Sequence, residues 1–501
     1  MPPAASAQQA GNGADRRFWR DDMPRDEMDA AGGDEDAPAE QRPRPRYYPG
    51  PRGANGGGQN AGANAGLKAP LTTAALPDLR PALAPMVITA PAAAAMAALP
   101  PARLRRLSSD EDSFGAVGDR VGSFLIKGAV EVSGGYDSNP ARLSKPVGAP
   151  LFVIAPELVV MSDWDRHALV ADLRGAFNGY GNTFPTLING VASPEPTSVD
   201  RPSFNGHVDG RFDVTRDLRL TSQLRMTVGT DNPGSPNVQT GLAAYPIYTT
   251  VGASVGIDRS FNRLDVSLGA TADRTSFTQS RLIDGSLMSN DDRNYNQFGG
   301  VGRVSYELNP GLKPFVEVEG DSRAHDLTVD RNGYQRDSTG GYAKAGTSFE
   351  ISRILTGDVS IGYAGRTYVD PRLPRLQGLL TTASLVWSAS ALTTVKLFTD
   401  TQIAETTLPA SSGIMVRTYA VEVDHDFRRW LTGIGKLSYG TYDYQGTDRN
   451  DELWSIEGDL IYKINRNVWI KSTLRHDILN SNIPGAGSHA TVVMLGVRLQ
   501  N

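Results

Sequence analysis

The chain has 501 residues, a net charge of −5 and no cysteine, so disulfides and thiolate metal sites are excluded and no basic footprint for nucleic acid is present. Mean hydropathy is negative and 21% of residues are charged. Those values do not exclude a membrane protein built from strands, because a transmembrane β-strand is apolar on only one face.

The start, Met1-Pro2-Pro3-Ala4-Ala5-Ser6-Ala7-Gln8, has neither a basic stretch nor an apolar one. Ala5-Ser6-Ala7 before Gln8 nevertheless fits a secretory cleavage pattern. Residues 1–7 therefore read as the remnant of a signal peptide whose start lies upstream, with a chance match in an Ala-rich tail as the other reading. Residues 1–105 form one Pro/Ala/Gly-rich block with too few large apolar side chains to offset chain entropy, which predicts disorder. Ala82–Ala98 is its most apolar stretch, but Pro85 and Pro91 break it, so it reads as a linker and not as a spanning helix. Residues 106–120, with Asp110-Glu111-Asp112, are a transition segment.

From residue 121 to 501 the texture is period-two alternation. The first strand region reads Gly122-Ser123-Phe124-Leu125-Ile126-Lys127-Gly128, then Gly134-Gly135-Tyr136-Asp137-Ser138-Asn139-Pro140. It resembles the opening of the Putative β-barrel porin 2 family, over roughly residues 105–501, with Tyr-Asp-Ser-Asn-Pro as the most specific piece. The resemblance implies a barrel in the outer membrane of a Gram-negative bacterium. Some members look linked to exopolysaccharide export, and no established catalytic residues come with the family.

The later strands make the same point without the resemblance. Leu218, Leu220, Leu224, Met226 and Val228 share one face, and Arg219, Thr221, Gln223, Arg225 and Thr227 the other. Leu264, Val266 and Leu268 oppose Asp265, Ser267 and Asp273; Val468, Ile470 and Leu474 oppose Trp469, Lys471 and Arg475. Such alternation marks strands with one wet face. The runs extend about 10–13 residues, against a usual mode near 5–6, and a tilted membrane strand needs about 9–11. Short turns are expected at Asp163–Asp165, Thr215–Asp217, Ser260–Asn262, Asn309–Gly311, Ser352-Arg353, Ala389–Ala391, Arg428-Arg429 and Asn465–Asn467. Longer polar loops lie between them, among them Asn182–Pro202, Asp231–Pro246, Thr278–Arg293 and Thr328–Arg336. Eight short turns and nine long loops give an all-β, transmembrane, antiparallel up-and-down barrel of about 18 strands, with 16 as the alternative count. The two ends and the short turns would face the periplasm. The spacing of the turns also suits propeller blades, but each unit holds two long strands and not four short ones.

Trp164, Trp387, Trp430 and Trp469 fall beside short turns, and Tyr136, Tyr180, Tyr368 and Tyr442 where strands enter long loops. Two aromatic girdles at the membrane interfaces would account for this. On the wet face fall Arg219, Arg225, Asp265, Asp273, Glu317, Glu319, Glu422, Asp424, Glu457, Lys471 and Arg475, the candidate lining of a lumen. In lipid the basic ones would cost about 2–4 kcal/mol each. A lumen position tolerates an apolar side chain, so Arg225→Leu is expected to fold, whereas Leu224→Arg is expected to impair folding.

The six histidines are scattered and lack metal spacing. In Asp424-His425-Asp426 the histidine points away from both acids on an extended strand, so no catalytic, cofactor or metal residue is assigned, and the chain is not read as an enzyme. The C-terminal alternation of Thr491, Val493, Leu495, Val497 and Leu499 ends in Asn501, in the phase where outer-membrane barrels usually carry an aromatic. The function expected is a porin-like channel for polar solutes or saccharides. A component of exopolysaccharide export and a structural or surface-interaction barrel with a plugged lumen are the alternatives. The partners expected are outer-membrane lipid, the barrel-insertion machinery and, in the export reading, other polysaccharide-export components.

Overall fold

In the computed structural model the described residues are 114–181, 197–351 and 354–501, together with the backbone of 187–188 and 191–192. The tail 1–105 with its signal remnant, the first part of the transition segment, most of the Asn182–Pro202 loop and the Ser352-Arg353 turn lie outside them.

Eighteen long strands follow one another. They are β1 (Phe124–Asp137), β2 (Ala149–Ser162), β3 (Ala168–Tyr180), β4 (Arg201–Asp213), β5 (Leu218–Thr230) and β6 (Ile247–Phe261). Next come β7 (Leu264–Phe277), β8 (Tyr295–Tyr306), β9 (Leu312–His325), β10 (Ser338–Ile351), β11 (Leu355–Tyr368) and β12 (Leu376–Ser388). The last six are β13 (Thr393–Ala404), β14 (Gly413–Arg428), β15 (Leu431–Gln445), β16 (Asn450–Lys463), β17 (Val468–Ser481) and β18 (Ser488–Gln500). Each pairs antiparallel with the next, and β1 closes on β18 from Ala129↔Gln500 to Asp137↔Val492. The main sheet has 19 strands only because the short strand Asp119–Val121 folds back on Phe124–Ile126. The result is a closed up-and-down barrel of 18 strands, which leaves no free outer edge.

The strands run 12 to 16 residues, longer than the alternation alone suggests, because the hairpins carry ladder pairing past the apolar stretch toward the loops. At the short-turn rim the chain reverses in a few residues. Asn262 takes up the left-handed region at φ 58° and Gly311 at φ 86°. A Cβ at Gly311 would meet the Glu350 carbonyl at 2.6 Å, so glycine is required there by both angle and space.

Side chains alternate strictly between an outer apolar face and an inner one. Leu224 is 62% exposed on the outside, whereas Arg475 on the inner phase is 3% exposed. Among the described residues there is no single apolar core. Small apolar clusters sit on the inner wall instead, one formed by Leu151, Val153 and Ala155 on β2, Ala176 on β3, and Val492 and Met494 on β18.

Candidate functional site: the inner wall and the mouth

Every residue named as candidate lining falls in the inner phase of its strand, and the structure adds a partner for most. Asp273 on β7 takes two hydrogen bonds from Arg225 on β5, at 2.6 and 2.5 Å. Glu317 on β9 accepts from the Tyr342 hydroxyl at 2.7 Å, lies 2.9 Å from Lys344 and 3.3 Å from Arg303. Lys396 on β13 joins Glu422 and Asp424 of β14, at 2.5 and 2.8 Å. Lys436 on β15 joins Glu457 at 2.9 Å and Asp459 at 3.6 Å on β16. Lys471 lies 3.7 Å from Asp459, and Arg475 is 3.1 Å from Asp477. Asp265 meets Lys313 at 3.1 Å, and Arg219 stands 3.5 Å from Asp213, both near the short-turn rim. Glu319 is buried between Glu317 and Asp321 on the same face of β9.

The acids and bases therefore pair along the wall, most of them between neighbouring strands, Arg225 with Asp273 across β6 and Arg475 with Asp477 within β17. A buried charge needs such a partner, because desolvation is costly and an unpaired neighbour costs more. Reading the sequence missed Lys344, Lys396, Lys436, Arg303, Arg323 and Arg366, although each lies in the same two-residue phase as the acids it meets.

The aromatic girdles need correction. Trp164, Trp387, Trp430 and Tyr136 do point outward and are exposed. Tyr180, Tyr368, Tyr442 and Trp469 point inward and are buried, so they do not stand at a lipid boundary. Their phase gives the signal: Trp469 shares a face with Lys471, Tyr368 with Arg366, Tyr442 with Lys436, and Tyr180 with Asp172. Trp469 packs with Ile434, Ile461 and Phe114 inside the short-turn rim, and its indole N–H donates to the Asn465 carbonyl at 3.1 Å.

The Tyr136–Pro140 motif builds the first long loop. The Asn139 amide N–H donates to Asp137 at 2.9 Å, and the Asn139 side chain donates to the carbonyls of Leu143 and His489 at 2.8 and 2.9 Å. Asp137 holds Arg142 at 3.0 Å, and Arg142 reaches Asp477 on β17 at 3.2 Å. The motif thus locks the first loop to the inner wall across the β1–β18 closure.

Other loops meet above the lumen. The third loop, between β5 and β6, reaches the seventh, between β13 and β14. The Asn237 side-chain oxygen accepts from the Thr406 hydroxyl and the Thr407 amide, both at 2.9 Å. Asp231 of the third loop pairs with Arg293 of the fourth at 2.7 and 2.8 Å. Arg336 of the fifth donates to the Ser411 and Leu408 carbonyls of the seventh at 3.1 and 3.2 Å. Glu405, just past β13, pairs with Arg323 on β9. Burial alone would raise the Glu405 carboxyl, but Arg323, with His325 and Arg366 nearby, holds it below its ordinary value. Burial pushes the Tyr245 phenol of the third loop up to about 12. Below these contacts is a cleft whose lining includes Thr275, Phe277, Tyr295, Asn332, Glu405 and Thr406.

The histidines serve packing and hydrogen bonding. His167 stacks on Phe212, and His425 bonds the Thr393 hydroxyl on the outer phase. Among the described residues no group of three or more His, Asp or Glu is placed to hold a metal ion.

Several solved outer-membrane proteins resemble the chain at low identity. A variant of the ferric enterobactin receptor PfeA from Pseudomonas aeruginosa is 8% identical, with a TM-score of 0.40, covering 75% of this chain and 80% of that one. The outer-membrane protein OpdK from Pseudomonas aeruginosa is 12% identical, with a TM-score of 0.38, covering 75% and 99%. The siderophore receptor PiuA from Acinetobacter baumannii is 9% identical, with a TM-score of 0.40, covering 78% and 84%. No curated protein matches the sequence. The model of one protein family, Putative beta-barrel porin 2, matches residues 112–501, and the chain belongs to that family of outer-membrane barrels.

Proposed function

We propose that this barrel is a porin-like channel for polar solutes, saccharides among them. The observation that carries the reading is that inner-phase charges on part of the wall keep contact with solvent. The side chains of His207 and Asp209 are 40% and 42% exposed, and those of Lys396 and Glu422 24% and 27%. A lumen filled by protein would leave no solvent there, whereas a wet path removes the cost of holding charges inside the membrane. The solute gradient supplies the driving force.

On this route stands the contact between the third and seventh loops at Asn237. Single-channel recording of the refolded chain in a planar bilayer tests the reading. Asn237→Ala removes the hydrogen bonds joining the two loops, each worth about 0.5–1.5 kcal/mol. It should raise the open probability or the conductance without changing the heat-modifiable migration of the folded barrel on gels. Silence from both the parent and Asn237→Ala would reject the channel.

A further inference from the structure

The ladder between β12 and β13 stops halfway up the wall. Pairing runs from Ser388↔Thr394 to Ala383↔Thr399 and ends there. On the other side of β12, pairing with β11 continues to Leu376, and β13 stays paired with β14 as far as Ala404↔Ile414. Above Ala383 a side chain takes over from the ladder. The Thr401 hydroxyl accepts from the Thr381 amide at 3.2 Å, donates to the Thr381 carbonyl at 3.3 Å, and lies 3.1 Å from the Thr381 hydroxyl.

Past that bridge the β13–β14 hairpin leans over the inner face of its neighbours. Met415 and Ile403 pack with Tyr368, Leu373 and Leu376. A Cβ at Gly378 would meet Met415 at 2.8 Å, and one at Gly413 would meet Leu376 at 2.6 Å and the Tyr368 hydroxyl at 3.1 Å. Tyr368, Leu376 and Gly378 are all in the inner phase. The halted ladder thus sits at a place where one part of the wall has slid inside another.

In hydrocarbon an interrupted ladder is costly, because no water satisfies the backbone groups it frees. A barrel that keeps such a seam has a weak point through its wall. The chemistry around the seam is apolar on both sides. Leu379 and Leu397 are exposed on the outer face, and Phe398, in phase with the inward Lys396, is 42% exposed. Elsewhere on this sector the inner wall carries Lys396, Glu422 and Asp424. A purely polar solute gains nothing by leaving a wet lumen for lipid, but an alkyl chain does.

We propose that the β12–β13 seam is a lateral gate, through which an amphipathic molecule passes its alkyl chain between the lumen and the surrounding lipid. The head group stays with the charged wall at Lys396, and the chain slides past Phe398 and the Thr381–Thr401 bridge. The gate opens when Met415 and Ile403 lift from Leu376 and Tyr368. It depends on the barrel wall and not on conduction along the axis.

The chain has no cysteine, so a single engineered pair, Thr381→Cys with Thr401→Cys, can lock the seam by oxidation and release it by reduction. The probe is dodecyl maltoside carrying a diazirine on its chain, added to the full-length protein in phospholipid vesicles. Adducts are located by mass spectrometry. Reduced protein should be labelled at Phe398, and oxidation should lower that labelling about fivefold or more, as expected when local opening is suppressed. Labelling at Leu224, on the outer face elsewhere, should not change. Absence of label at Phe398 in the reduced form, or label that oxidation leaves intact, would overturn the gate. Should the cysteine pair fail to give a heat-modifiable band, Thr401→Val removes the bridge without cysteines. It should speed amide exchange at Thr381, whose amide donates to the Thr401 hydroxyl, and at Ala383, and raise labelling at Phe398, and no change in either would also overturn the gate. Conductance recorded on the oxidised protein reports separately on the axial path.

Discussion

The loop-side sector of the inner wall carries apolar clusters: Leu151, Val153, Ala155, Ala176, Val492 and Met494 on β2, β3 and β18, and Ala404, Ile414, Val416, Leu453 and Leu479 on β13 to β17. The turn-side sector of the same strands carries ion pairs: Glu157 with Arg498 on β2 and β18, and Lys396, Glu422, Asp424, Lys436, Glu457, Asp459 and Lys471 on β13 to β17. The outer face is apolar on both sectors: Phe152 and Ile154 are exposed on one, and Leu437 and Leu460 on the other. Lipid sets the outer face of every strand alike, while the inner face is set by whatever lies against it. On the loop-side sector that is folded loop, since Val199, Tyr245 and Ala141 pack on the first cluster and Leu408 on the second. On the turn-side sector the side chains pair with each other and part of them stays wet. The loops are therefore moored toward one rim, and the paired charges lie toward the other.

The strongest way to break this division is to cut the mooring. Arg142 is 4% exposed and holds Asp137 on β1 together with Asp477 on β17. Arg142→Ala leaves the buried Asp137 carboxylate without its base and cuts the link to Asp477, which keeps Arg475, a loss of about 3–5 kcal/mol by analogy with broken buried pairs. The temperature at which the folded band is lost on gels should fall sharply. A variant as resistant as the parent would show that the first loop is not held through this contact.

The next effect tests the outer face, which the two sectors share. Leu224→Arg puts a charge toward lipid, at a cost of about 2–4 kcal/mol at mid-depth, and refolding into lipid should be impaired. Leu224→Ala should fold nearly as well as the parent. Equal refolding of Leu224→Arg and parent would mean that the inside and the outside had been exchanged.

Much of this was legible in the sequence, and the limits are instructive. Runs such as Leu218–Val228 are apolar on one face and charged on the other, so strand type and phase follow from alternation, and the count of about 18, with 16 as the alternative, from the turns and loops between the runs. The run Ala149-Pro150-Leu151-Phe152-Val153-Ile154-Ala155 is apolar on both faces, so alternation there says nothing about which side is wet. Position along the strand puts the inward tyrosines and Trp469 at a membrane interface, and only their phase separates lumen from lipid. Partner choice was out of reach, since the Arg225–Asp273 pair spans 48 residues of sequence and depends on register across an intervening strand. The halted β12–β13 ladder was equally hidden, because Leu376–Thr382 reads like any other stretch of strand.

A smaller effect follows from that register. Arg225→Leu, which the lumen position alone would tolerate, strips Asp273 of its partner, and the Asp273 side chain is only 1% exposed. The single variant should lose about 1–3 kcal/mol, the cost of a buried group left unsatisfied. Adding Asp273→Leu should restore most of it. The double-mutant cycle isolates the pair. Additive losses would show that the two charges are held independently by water.

The smallest effect concerns the mouth and its dependence on pH. Glu405 is buried beside Arg323, and that arginine first, then His325 and Arg366, outweighs burial and keeps its carboxyl below the ordinary 4.5. A carboxyl depressed on folding stabilises the native state above its unfolded value, and the contribution is lost as pH falls through the lower, folded value. The clamp between the seventh loop and β9 should therefore hold unchanged from neutral pH down to about 4.5 and weaken only below it, by about 1.4 kcal/mol for each unit of depression. Amide exchange in residues 405–412, followed as pH is lowered and corrected for its intrinsic pH dependence, reads this directly. Glu405→Gln cannot ionise and leaves Arg323 without its counter-charge, so the loop should exchange faster at neutral pH and show no further step on acidification. A parent step centred above 4.5, or an acid step that survives in Glu405→Gln, would place the acid-sensitive contact elsewhere in the mouth.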